Sequence, residues 1–187
     1  VGGDRFGGTG ASLSDAFTRQ FVGLFATQKL SFLKVAVEAD LVSGKTGVKT
    51  AAGSEVNMAG YGFAAEISPF SASGKWNWML KLGAASGDNP GTTDIDEGFA
   101  FNKNYDVAML LFNHPVGKGD FLRSGLVRDT STSASTQVDT DAISNVFYVS
   151  PSFSQQIKDR LSWGGSLTYA ILNQNPFVGN DISKNLG

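Results

Sequence analysis

Cysteine is absent from the 187 residues, so no disulfide framework holds this chain. No apolar run approaches the roughly 20 residues that a membrane helix needs, which excludes a helical membrane protein and leaves strand-built ones open. His114 is the single histidine, so no multi-histidine metal site can form. It precedes Pro115, in loop-like sequence, and no spacing links a serine to it as a catalytic pair. The chain is therefore read as no enzyme, and no cofactor is expected. Net charge is −2, which denies it the basic field of a nucleic-acid binder. Gly7-Gly8-Thr9-Gly10 lacks the Gly-Lys-Ser/Thr that would make a phosphate loop and reads as part of a loop over residues 1–16. Asp88, Asn89, Asp94, Asp96 and Glu97 crowd one stretch, but Gly98 and Tyr105 stand where a calcium loop needs oxygen ligands. A solvated acidic loop is the reading there, with no metal site.

What the chain has in quantity is alternation. Between Ala142 and Leu172 two long arms flank a turn at Lys158-Asp159. Ile143, Phe147, Val149, Phe153 and Ile157 share one face of the first arm, and Leu161, Trp163, Leu167, Tyr169 and Ile171 one face of the second. Serines, glycines and Gln156 take the opposite face. Side chains alternate along a strand, so this is a hairpin with one greasy face and one small polar face. Four further strands are expected at Phe17 to Gln28, Phe32 to Val42, Glu55 to Ser68 and Lys75 to Ser86, with Ser43 to Ser54 a loop. The facing of the first is unclear, because Phe21 and Phe25 oppose Val22 and Leu24. The other three alternate well. The fold class is all-β, an antiparallel transmembrane β-barrel of which about six spanning strands lie here. Residues 1–187 form part of this single barrel. A soluble sandwich would show the same alternation, with the greasy face against a second layer.

On the barrel reading the inward set is Lys34, Glu38, Asp40, Glu66, Lys75, Asn77, Lys81 and Arg160, the candidate pore lining. Trp76, Trp78 and Trp163 stand near turns and form a candidate interfacial girdle. The short turns near Lys29, Gly74 and Lys158 belong on one side of the membrane. An even number of crossings, most simply zero, then separates the strand ending at Ser86 from the one beginning at Ala142. Residues 87–141 become a long outer loop, with Asn104 to Asn113 folded into the barrel mouth; a short hairpin above the membrane is the competing arrangement. The chain opens at Val1-Gly2-Gly3-Asp4 without initiator Met or signal peptide and closes in polar sequence without a terminal aromatic residue, which suggests an internal piece of a longer polypeptide.

The stretch Gly98-Phe99-Ala100-Phe101-Asn102-Lys103-Asn104-Tyr105-Asp106-Val107-Ala108-Met109-Leu110-Leu111-Phe112-Asn113, with Ser86-Gly87-Asp88 before it, resembles a segment of outer-membrane barrels of the alginate-export-like, porin-like type. The resemblance covers the central third of the chain. It implies a Gram-negative outer-membrane pore whose mouth this segment lines or covers. That family's basic lumen suits an anionic polysaccharide, whereas the inward set here mixes both signs. The expected function is passive diffusion of small hydrophilic solutes or ions. The expected partners are the lipid bilayer, lipopolysaccharide, those solutes, and further copies or other envelope proteins, with no nucleic acid. The alternative is a non-conducting surface structural or adhesive β-protein.

Overall fold

The computed structural model describes residues 12–13, 17–50, 52–69, 75–89, 91–102, 104–108 and 142–174. Among them there is no helix, and the strands are β1 (Ser12–Leu13), β2 (Thr18–Lys29), β3 (Leu33–Lys49), β4 (Glu55–Pro69), β5 (Trp76–Ala85), β6 (Ile95–Asp96), β7 (Val146–Lys158), β8 (Leu161–Ser166) and β9 (Tyr169–Leu172). All belong to one sheet. β1 and β2 follow one another along the same side of β3, β6 extends the row of β5, and β9 extends that of β8. The nine strands therefore make six rows in an up-and-down order, antiparallel throughout except at the two-residue β6. The sheet is not closed: β2 bounds it on one side, and the β8–β9 row on the other.

Register follows the hydrophobic alternation. Val35, Val37, Ala39 and Leu41 of β3 pair with Ile67, Ala65, Phe63 and Tyr61 of β4, all on one face. Leu80, Leu82 and Ala84 continue that face on β5, then Pro151, Val149 and Phe147 on β7. A slip of one residue would exchange the two faces, so the alternating pattern itself specifies the pairing. β5 lies directly beside β7, with no strand between them.

Several expectations need correction. The stretch from Ser43 is no loop, because β3 runs on to Lys49 between β4 and the β1–β2 row. Its Gly, Ser, Thr and Lys residues read as turn, but Ser43 to Lys45 and Lys49 have strand partners on both sides. Gly47 (φ 76°) lies inside the register shift between Lys45 and Lys49, and Gly44 (φ 144°) stands just before it. Within the expected loop of residues 1–16, Ser12 and Leu13 pair with Lys49 and Val48. Ile143 does not share the face of Phe147; it is 1% exposed and lies before the strand begins. Asn145, at φ 54°, breaks the alternation between them. The hairpin turn is Asp159-Arg160, one residue later than expected. Its second arm breaks into β8 and β9 at Leu167-Thr168.

The core sits on the small, polar face, and only at the end away from the β2–β3 and β7–β8 turns. There Val42, Ala85, Val146 and Tyr148 of the sheet meet Phe99, Val107 and Ile143, which come from outside the strands. Met58, Phe101, Tyr105 and Ala170 pack against this cluster.

Candidate functional site

Each face of the sheet presents its own candidate surface. On the apolar face, Leu41 is 59% exposed, Trp76 59% and Tyr169 55%, with Phe147, Phe153 and Trp163 also open. Large apolar side chains exposed across neighbouring strands form a patch that a water-soluble monomer seldom carries. The three tryptophans do come together. Trp76 and Trp163 both lie opposite Gln155 on the two sides of β7, and Trp78 lies opposite Phe153. The Phe153 ring stands edge-on to Trp163 at 5.2 Å and tilted toward Trp76 at 6.5 Å. Trp163 donates its indole N–H to Gln155 at 2.8 Å. Phe153 and Gln155 thus complete an aromatic row that the spacing of tryptophans alone does not reveal.

The opposite face holds the polar candidates, which fall into three places. Lys34 is exposed at the turn-side end of β3, opposite Ser68. Lys75, Asn77 and Arg160 line an open groove of about 450 Å³ at the turn-side end of β5, β7 and β8, with Ser154, Gln156, Asp159 and Ser162. Arg160 reaches it from the turn rather than from a strand. Glu38, Asp40, Glu66 and Lys81 occupy the middle of the sheet. Glu66 and Lys81 are direct cross-strand partners, with an ion pair at 3.7 Å.

The far end of this face is covered. The segment 97–108, described at residues 97–102 and 104–108, lies across it, and Gly60 and Gly62 on this face provide the room. A Cβ at Gly62 would stand 2.3 Å from the Phe99 ring, and one at Gly83 would stand 2.7 Å from the Tyr148 ring. A Cβ at Gly60 would lie 3.0 Å from the Gly98 carbonyl. Phe101 is edge-on to Phe99, Tyr105 and Tyr148, at 6.1, 5.6 and 6.3 Å. The Tyr105 and Tyr148 hydroxyls share a hydrogen bond at 2.9 Å, and burial raises the Tyr105 phenol above its ordinary pKa. Backbone bonds fix the first part of the segment: Phe99 N–H donates to Ser86 at 3.0 Å, and Phe101 N–H to Ile143 at 2.9 Å. Of the stretch Asn104 to Asn113, Asn104 to Ala108 form turn and bend over the polar face, with Tyr105 and Val107 against the core. Residues 109–113 and His114 lie outside the described residues, as does the Gly7–Gly10 run.

The acidic stretch is tied up in its own backbone. Asp88 accepts the Glu97 N–H, Asp96 accepts that of Gly98, and Glu97 accepts the Asn89 N–H and the Thr92 hydroxyl. These bonds shape the approach to Phe99. Among the described residues no group of three or more His, Asp or Glu side chains is placed to hold a metal ion.

Asn145 also had no signal in the alternation. Its side-chain amide donates to the Gln174 carbonyl at 2.9 Å and accepts the Gln174 N–H at 2.8 Å, tying the start of β7 to the end of β9. Neither a family model, nor a curated protein, nor a solved structure matches this chain.

Proposed function

We propose that this chain is part of a transmembrane β-barrel in the outer membrane of a Gram-negative bacterium, and that its polar face lines a water-filled passage for small hydrophilic solutes or ions. One observation carries the reading: the sheet is packed the wrong way round for water. A soluble sheet covers its apolar face and leaves the polar one wet. Here the covering segment lies on the small, polar face, while Leu41, Phe147, Trp76 and Tyr169 stay exposed on the other. Lipid around the sheet and water within the curve account for both. In hydrocarbon the free edges of β2 and of the β8–β9 row would each need a partner strand, because unpaired backbone groups are costly there. The Trp76–Gln155–Trp163 row fits a lipid–water boundary, where an aromatic body and a polar tip are both accommodated.

Such a passage selects by width and by the charges along it, with weak binding. Lys75 and Arg160 make the turn-side groove basic, while Glu38 and Asp40 make the middle acidic. The resemblance of Gly98 to Asn113 to alginate-export-like, porin-like barrels supports a passage. The mixed signs favour small solutes of either charge over one anionic polymer.

Fractionation of cells expressing the full-length protein, followed by planar-bilayer recording, tests the reading. Extraction by detergent alone, with stepwise conductance after reconstitution, is expected. Release by osmotic shock would overturn it. The covered far end of the polar face favours a second reading, a surface β-barrel that conducts nothing. Detergent extraction without conductance would establish that one instead.

A further inference from the structure

Lys81 is the best-connected cation on the polar face. Its ammonium group pairs with Glu66 at 3.7 Å, donates to the Asp106 carbonyl and sits 5.7 Å from the centre of the Tyr105 ring. Two of those contacts belong to segment 97–108 and the third to the wall. Lys75, on the same face, has an open setting in the turn-side groove. An ammonium held by a carboxylate, a carbonyl and a ring face presents little free charge to a passing ion. It does hold a loop to a wall.

The seat under that loop is shaped for it. Gly60 and Gly62 lie on one face of β4, and a side chain at either would intrude on the segment; at Gly83, on β5, it would meet the Phe63 carbonyl and the Tyr148 ring of the sheet instead. Glycine weakens strands and is found in them where another group must approach closely. The Tyr105–Tyr148 hydrogen bond provides a second pin about one residue from the first.

We infer that segment 97–108 is a fixed constriction of the passage, seated on Gly60 and Gly62 and pinned by Lys81, and that Lys81 sets the width of the passage rather than its charge preference. The inference rests on the pore reading and adds what controls the size of the solute.

The test uses the full-length protein in planar bilayers and in liposomes swollen with neutral sugars of increasing size. Lys81→Gln removes the pin, and Gly62→Leu displaces Phe99 without changing charge. Both should raise single-channel conductance about twofold and admit larger sugars than wild type. Lys81→Arg should keep the wild-type cut-off, since a guanidinium can make the same contacts. Lys75→Gln should leave the cut-off alone and move only the reversal potential. If Lys81→Gln moves the reversal potential as Lys75→Gln does, with the cut-off unchanged, Lys81 is a pore charge and the inference is wrong. If Gly62→Leu fails to fold, Tyr105→Phe with Lys81→Gln replaces it as the second disruption, with the same expected widening. Wild-type protein that inserts without conducting would overturn the pore reading itself, a result separate from a conducting protein whose cut-off ignores Lys81.

Discussion

Lys75, just before β5, and Lys81 within it have the same parity, yet their surroundings give them different work. Lys75 stands in the open groove with Arg160, where its charge acts on whatever enters. Lys75→Gln should therefore shift the zero-current potential toward cations under a salt gradient, because the local field becomes more negative. The same recording with Arg160→Gln should shift it in the same direction. Gly44 poses a different question, of backbone rather than charge. Its φ of 144° suits glycine, and a Cβ there would stand 2.1 Å from the Thr18 carbonyl oxygen. Gly44→Ala should cost about 1–3 kcal/mol, seen as an earlier midpoint in urea unfolding from lipid vesicles. At Tyr105 the variable is pH. Burial favours the neutral phenol, so the folded form holds its proton where the unfolded chain ionises near 10.0. Its contribution is complete below that value and is lost as pH rises through the higher folded one. Tyr105→Phe should flatten the fall in stability on the alkaline side, measured by tryptophan fluorescence during unfolding.

Among the elements, facing was readable in the interior rows β3, β4 and β5. Residues 33–42, 59–67 and 76–84 alternate in sequence as they do in space, because one bulky row must avoid the other. The sequence misleads where local composition and pairing disagree. Ser43-Gly44-Lys45-Thr46-Gly47 has the chemistry of a turn, and only the flanking rows hold it extended. Ile143 has the parity of an outward residue until the left-handed Asn145 resets the count. β2 is ambiguous for a physical reason: Phe21 and Phe25 fall on the polar face opposite Val42 and Glu38, while Val22 and Leu24 fall on the apolar one. As an edge row it has a neighbour on one side only, so its sequence carries less of the pattern. The candidate charges were legible as sharing one face. Their division into a groove, a middle patch and a latch was not, because it depends on where segment 97–108 lies. That segment and the β7–β8 turn should also stand on opposite sides of the membrane. Asn102→Cys should react with an impermeant thiol reagent on whole cells, and Lys158→Cys should not; the chain has no other cysteine to interfere. The reverse pattern would invert the proposed orientation.

For the molecule as a whole, the question is which medium each face meets. If the sheet is part of a wall between lipid and water, cost must depend on which face is substituted. Val37 and Ala36 are adjacent on β3 and both partly buried, so they differ chiefly in direction. Val37 pairs with Ala26 and Ala65 on the apolar face, whereas Ala36 pairs with Thr27 and Glu66 on the polar one. An arginine at Val37 would enter hydrocarbon, at a cost of about 2–4 kcal/mol near the midplane and less toward either boundary. An arginine at Ala36 would reach water and the Glu66 carboxylate, so it should cost little. Leu82 and Lys81 on β5 cannot serve as the second pair, since Lys81 already holds the loop. Leu167 and Ser166 can: Ser166 ends β8 and pairs with Ser152 on the polar face, and Leu167, at the break before β9, is 71% exposed. Folding each of the four arginine variants into lipid vesicles and measuring urea midpoints compares the faces directly. The expected order is a large loss for Val37→Arg and Leu167→Arg, with Ala36→Arg and Ser166→Arg close to wild type. Equal losses on both faces would mean that the sheet separates no lipid from water. Large losses on the polar face alone would point to a sheet that buries that face and leaves the apolar one in water.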